Sequence, residues 1–226
     1  MMTRTAVRTP KAAAIAGIIF AVLLTASLIL TWVAVPRHSD QAGGWVLDGS
    51  NRRLVVIALN LTPFAGIAFL WFIGVARDRI GEHEDRFFST VFLGSGLLFV
   101  AMLFVSGAVA GGLVVAPGSD AVAPSEAVWG YGGRIIYSLI TVYAMRMAAV
   151  FMMSSTTLLL RLGLVPRWFA IGGYVAAVVL LLTSGSVQLL ELVFPFWVLA
   201  LSVHILIVTF RLRRAEVDEA AAASLP

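Results

Sequence analysis

Apolar stretches of twenty or more residues recur along this chain between Ala12 and Phe210, and they limit its fold more than any other feature. A helix of about 20 apolar residues is about 30 Å long, which matches the hydrocarbon core of a bilayer. A helix also satisfies its own backbone donors and acceptors, as that solvent requires. The 226 residues are 60% hydrophobic and 12% charged, with a mean hydropathy of +0.97, which excludes an ordinary soluble domain.

Helical spans are expected near Ala12 to Val35, Leu54 to Ala76, Phe87 to Val115, Ile135 to Leu160, Trp168 to Val187 and Phe194 to Phe210. The expected fold is therefore an all-α polytopic bundle of six spans over 12–210, with a short segment 1–11 before it and a tail 211–226 after it. The third and fourth stretches exceed the bilayer thickness and must tilt, bend or protrude, whereas the sixth reaches across only if Leu189 to Val193 extends it. The first span follows Arg4, Arg8 and Lys11, as a secretory signal would, but its apolar stretch is longer than a cleavable core, so a retained anchor is expected.

Basic residues set the orientation. Eleven of the sixteen (Arg4, Arg8, Lys11, Arg77, Arg79, Arg86, Arg161, Arg167, Arg211, Arg213 and Arg214) fall on one side of the expected spans. Four, Arg37, Arg52, Arg53 and Arg134, fall on the other, and Arg146 lies within a span. Both termini are thus expected in the cytoplasm. Trp32, Trp129 and Trp197 fall near outer ends and Trp168 near an inner end, where indole rings favour the headgroup level, while Trp71 does not fit.

The net charge of +4 comes from topology and not from a basic stripe with interleaved aromatics, so nucleic acid is not an expected partner. Fifteen of the sixteen basic residues are arginine, and with abundant Ala, Gly and Val this points to a bacterial plasma membrane. With no cysteine, disulfides, thiolate metal sites, catalytic thiols and a lipidated cysteine are excluded. The outer segments Pro36 to Arg53 and Ala116 to Gly130 have the Gly and Pro content of ordinary loops. Similar patterns at Arg86 to Phe88 and Arg167 to Phe169, followed by Ser106 to Val109 and Ser184 to Val187, reflect shared interface preferences more simply than a duplication.

Arg146, in YAMRMAAVFMMSSTT, is the most informative residue. An arginine at mid-membrane costs roughly 2.5–3.5 kcal/mol on insertion scales, so it should face protein or a hydrated cavity. Helical spacing places Tyr143, Arg146, Ser154, Thr157 and Arg161 along one face. Asn60 and Thr62, just before Pro63, and His204 lie at depths that suit partners for the guanidinium. Pro63 also frees the carbonyl near Leu59 as an acceptor. The candidate binding residues are Arg146, Tyr143, Asn60, Thr62 and His204. Their ligand would be an anionic solute or lipid headgroup, and the other reading is a packing and hydrogen-bond hub.

No catalytic group, cofactor or metal site is expected. His204 has no second histidine at membrane depth for haem ligation, because His38 and His83 lie in loops. Gly94-Ser95-Gly96 with His204 suggests a serine protease dyad, but Leu93 stands where that signature needs glycine, and glycine beside serine suits close helix packing. The loop from Arg77 to Arg86 gathers four carboxylates and His83, but it lacks HExxH and reads as a salt-bridged, solvated loop. Small residues repeat every four positions at Ala13, Gly17, Ala21 and Thr25, at Gly107 and Gly111, and at Gly172 and Ala176, where helices are expected to approach closely.

The runs EDRFFSTVFLGSGLLF, RMAAVFMMSSTTLLLRLGLVPRW and FPFWVLALSVHIL together resemble uncharacterised multi-span membrane proteins of actinobacteria. The resemblance implies the architecture and carries no reaction, substrate or catalytic residue. Two classes of function remain. One is a binding or transport module for a small solute or lipid, centred on Arg146. The other is a structural or regulatory subunit that docks another membrane protein or a second copy through its small-residue faces. An enzyme comes third, because phosphate-loop, zinc and lipid-transferase patterns are all missing.

Overall fold

The computed structural model of the protein describes residues 8–34, 49–80, 86–115, 125–183 and 188–223. Several expectations lie outside the described residues: those for His38, for Glu82 to Asp85, for most of the two outer loops, and for Ser184 to Val187. Among the described residues the secondary structure is helical, without a strand. The helices are α1 Arg8–Ala34, α2 Gly49–Ile80, α3 Arg86–Val115, α4 Glu126–Tyr137, α5 Met145–Arg161, α6 Arg167–Leu182 and α7 Val193–Ala223. A π-helical segment, Ser138–Ala144, joins α4 to α5, and a 3-10 turn, Gln188–Leu192, leads into α7.

Among the described residues, five stretches are long and apolar enough to cross a bilayer: Lys11–Ala34, Gly49–Arg77, Phe87–Val114, Ala127–Arg161 and Leu189–Arg211. The fourth runs unbroken through α4, the π segment and α5, and the fifth begins at Leu189, as a crossing by α7 requires. The expected span from Trp168 corresponds to α6, which has 16 residues. At 1.5 Å per residue it is about 24 Å long, short of the roughly 30 Å core.

Side-chain contacts fix the order of the bundle. Ser27 of α1 meets Ala58 of α2, Phe69 of α2 meets Phe99 of α3, and Phe92 of α3 meets Phe151 of α5. Thr157 of α5 meets Tyr174 of α6, and Phe169 of α6 meets His204 of α7. Contacts at two levels give the direction: Ser27–Ala58 with Phe20–Phe69 for α1 and α2, Gly96–Ile73 with Gly66–Phe104 for α2 and α3, and Phe169–His204 with Gly173–Trp197 for α6 and α7 all run antiparallel. The ring closes between α7 and α1. Lys11 lies 4.6 Å from the Phe210 ring, while at the opposite end Trp32 Nε1 donates to Glu191 Oε2 at 3.2 Å. The start of α1 and the Phe210 level of α7 therefore share one end of the bundle.

Phenylalanine fills the centre. Phe69 is fully buried, with ring centroids of Phe20, Phe99, Phe151 and Phe194 at 4.5, 5.4, 5.0 and 5.5 Å. Lipid tails are as apolar as these rings, so their value lies in packing and not in removal from water. Edge and tilted ring contacts each contribute about 0.5–1.5 kcal/mol.

Glycines let the helices close on this centre. A Cβ on Gly17 would collide with Ser202 Oγ of α7, and one on Gly66 would collide with the Phe104 ring of α3. At Gly96 it would fall 2.5 Å from Ile73 Cδ1, which accounts for glycine beside Ser95 as a packing feature. The expected stripe on α1 is inward, with Ala13 and Ala21 buried. Within the chain the contacts expected at Gly107, Gly111 and Gly172 are not made, since no described residue lies within 4 Å of a built Cβ there, and the tight position on α6 is Gly173. Residue spacing identifies a small-residue face but not the side of the helix that carries the neighbour. Trp197, expected near an outer end of its span, is a core residue at 7% exposure.

The turn between α5 and α6 follows from RLGLVPRW. Gly163 adopts φ +66°, open to glycine at no steric cost, and lets Gly163 N–H reach Leu160 O at 3.1 Å and Leu164 N–H reach Leu159 O at 2.9 Å. Pro166, which cannot continue α5, then caps α6 by accepting from Phe169 N–H at 3.1 Å.

Candidate functional site

Arg146 lies one residue past the start of α5, directly after the π segment. In that segment Met145 N–H reaches back five residues to Ile140 O, and Thr141 Oγ1 donates to Tyr137 O at 2.7 Å. The looser spacing takes local carbonyls out of the usual i to i−4 ladder. Arg146 Nη1 donates to Val142 O at 2.9 Å, and its side chain is half-buried. The carbonyl that receives Nη1 therefore belongs to the same helix, one turn back.

The π segment also redirects Tyr143, which is 55% exposed. Its expected alignment with Arg146 assumed 3.6 residues per turn throughout, and that period does not hold here. Further along, Ser154 is buried and donates to Val150 O at 2.9 Å, and Thr157 Oγ1 lies 2.7 Å from Tyr174 Oη. Thr157 thus belongs to the α5–α6 contact, while Ser154 is paired within its own helix.

The other expected binding residues have local partners of their own. Asn60 is exposed and donates through Nδ2 to Val56 O at 2.7 Å. Thr62 Oγ1 donates to Ala58 O at 3.0 Å and lies 3.0 Å from Ser27 Oγ, in a joint between α1 and α2. His204 Nε2 is 3.2 Å from Leu164 O, and its ring stacks on Phe169 at 5.8 Å. His204 thus pins α7 to the α5–α6 turn. The described hydrogen bonds of Asn60, Thr62 and His204 do not lead to Arg146. Ser95, weighed as a nucleophile, is buried and donates to Val91 O at 2.6 Å on its own helix.

Two polar features were not singled out from sequence. Glu191 is 6% exposed and accepts from Trp32 Nε1, which joins the 3-10 turn to the end of α1. The signal was present, because Glu191 is the one acidic residue between Trp168 and Phe210. The second feature comprises Thr156 Oγ1, Trp197 Nε1 and Ser202 Oγ, buried atoms with no hydrogen-bond partner among the described residues. Leaving such a group unpaired costs about 1–3 kcal/mol. Periodicity cannot reveal them, since Ser154 to Thr157 are four consecutive hydroxyl residues and only tertiary packing selects Thr156.

Comparison with family models, curated proteins and solved structures gives no match, so the fold and its polar residues carry the functional argument alone.

Proposed function

We propose that this chain is a six-span bacterial plasma-membrane protein with both termini cytoplasmic, and that Arg146 centres a site for a small anionic solute or a lipid headgroup. An even number of crossings accords with Lys11 and Phe210 at one end of the bundle and with the eleven-to-four basic asymmetry. On this reading α6 is the fifth of six crossings, its short length met by local bilayer thinning or flanking residues. The resemblance to actinobacterial multi-span proteins stands as a sequence-based expectation beside it.

One observation carries the site: a half-buried guanidinium within the fourth span, anchored at the exit of a π segment. Ionisable groups at membrane depth and π segments both concentrate at functional sites. A planar guanidinium grips carboxylate or phosphate oxygens in pairs, so Arg146→Lys should weaken anion binding while keeping the charge. The test is a thermal-shift screen of anionic solutes and lipids on wild type and Arg146→Met. Stabilisation of wild type alone is expected, and an identical response from both proteins would remove Arg146 from the site.

A docking role is the second reading, favoured by the open surface at Gly107 and Gly111 on α3. A partner helix or a second copy could approach the backbone there. Gly107→Leu would then lower the oligomeric mass in mild detergent without unfolding the chain.

A further inference from the structure

Four consecutive hydroxyl residues, Ser154 to Thr157, lie on α5 where it meets α6. Three of them donate to carbonyls of their own helix: Ser154 to Val150, Ser155 to Phe151 and Thr157 to Met153. Thr156 is the exception. It is 1% exposed, and its Oγ1 has no hydrogen-bond partner among the described residues.

Thr156 instead faces Gly173 of α6, where a built Cβ would lie 2.8 Å from Thr156 Oγ1 and 3.0 Å from Trp197 Nε1. Trp197 arrives from α7, is 7% exposed, and its Nε1–H also has no partner among the described residues. Two orphaned groups from two helices thus converge on the bare Cα of a third. An indole N–H only donates, whereas a hydroxyl both donates and accepts. Neither carries charge, so a neutral ligand with an acceptor oxygen completes them. Glycine at 173 keeps a methyl from standing against both groups, and buried waters of globular proteins bridge otherwise unpaired polar groups with two to four partners.

We infer that the notch formed by Thr156, Gly173 and Trp197 binds one water molecule. The water accepts from Trp197 Nε1–H and pairs with Thr156 Oγ1, tying α5 to α7 across α6. This site shares no residue with the one centred on Arg146 and does not depend on it.

The test uses the full-length protein in lipid nanodiscs with 15N-labelled tryptophan, and Trp197→Phe assigns the resonance. Wild type is expected to show a cross-peak between Trp197 Hε1 and water, lost in Thr156→Val and in Gly173→Ala, with the other indole signals unchanged. No water cross-peak in wild type would overturn the inference. So would a cross-peak that persists in Thr156→Val, or an indole shift in that variant without any wild-type water signal, which would indicate a direct contact between the two side chains. Thr156→Val keeps the side-chain shape and removes only the hydroxyl, so its result decides if Gly173→Ala fails to fold.

Discussion

Phe69→Ala tests whether the aromatic centre holds the helices together. In a water-soluble core the change costs about 3–5 kcal/mol, combining lost transfer from water with the cavity left behind. Here the unfolded reference is itself in lipid, so the transfer part largely cancels and the packing part remains. Phe69 has five ring neighbours, at 4.5 Å (Phe20), 6.1 Å (Phe72), 5.4 Å (Phe99), 5.0 Å (Phe151) and 5.5 Å (Phe194). With incomplete additivity these contacts place the expected loss at about 2–4 kcal/mol. Phe64 provides the control, because it lies on the same helix but is 63% exposed, and Phe64→Ala should cost no more than about 0.5 kcal/mol. Unfolding by sodium dodecyl sulfate in mixed micelles, followed by circular dichroism, measures both. Equal losses for the two variants would refute the reasoning, as would a Phe69→Ala loss below about 0.5 kcal/mol.

Gly17→Leu and Gly96→Leu should lower thermal stability sharply, since their built Cβ atoms meet Ser202 and Ile73, whereas Gly111→Leu should leave it nearly unchanged. A melting series in detergent that ranks Gly111→Leu with the other two would show that α3 is turned the other way. Trp32→Phe removes a donor from the buried Glu191 carboxylate and should cost about 1.5–3 kcal/mol, read by the same micelle titration. A neutral result would mean that solvent or lipid headgroups already serve Glu191. Reporters fused after Arg214 and within Ser39 to Gly49 should report opposite sides of the membrane, and a reporter after Arg214 active only in the periplasm would reverse the proposed topology.

Much of the architecture was legible because apolar length is a direct readout of bilayer thickness. Lys11–Ala34 and Phe87–Val114 fall within a residue or so of the expected spans. α6 was harder: its span was expected to run to Val187, but the apolar run stops at Leu182, before Thr183, Ser184, Gly185 and Ser186, and the helix ends there too. The Arg146 neighbourhood was legible only as an anomaly. That a guanidinium sits inside a span follows from the sequence, but its acceptor on Val142 depends on a π segment that no spacing rule signals. Asn60, Thr62 and His204 matched Arg146 in depth alone, and depth does not report angle around a bundle. Thr62 turns to Ser27 and His204 to Leu164, choices made by which helices are neighbours. Glu191 was visible as an isolated acid in a long apolar stretch, and it illustrates that a single charge near a span end carries as much information as one at the middle.

The π segment gives its helix a phase offset, and the packing on α3 uses it. Gly132, before the segment, abuts Leu113, and Phe151, after it, stacks on Phe92 at 4.7 Å. Nineteen residues separate Gly132 from Phe151. In an unbroken α-helix of 3.6 residues per turn that separation is five turns and about 100° more, so the two would point to different sides. One extra residue taken up within Ser138–Ala144 removes about 100° and brings them into line. Both halves of a long, otherwise continuous helix can therefore lie against the same neighbour. Deleting one residue of the segment would restore the α period and keep Gly132 and Phe151 on the same side, whereas forcing all nineteen residues into an α-helix would swing Gly132 away from Leu113.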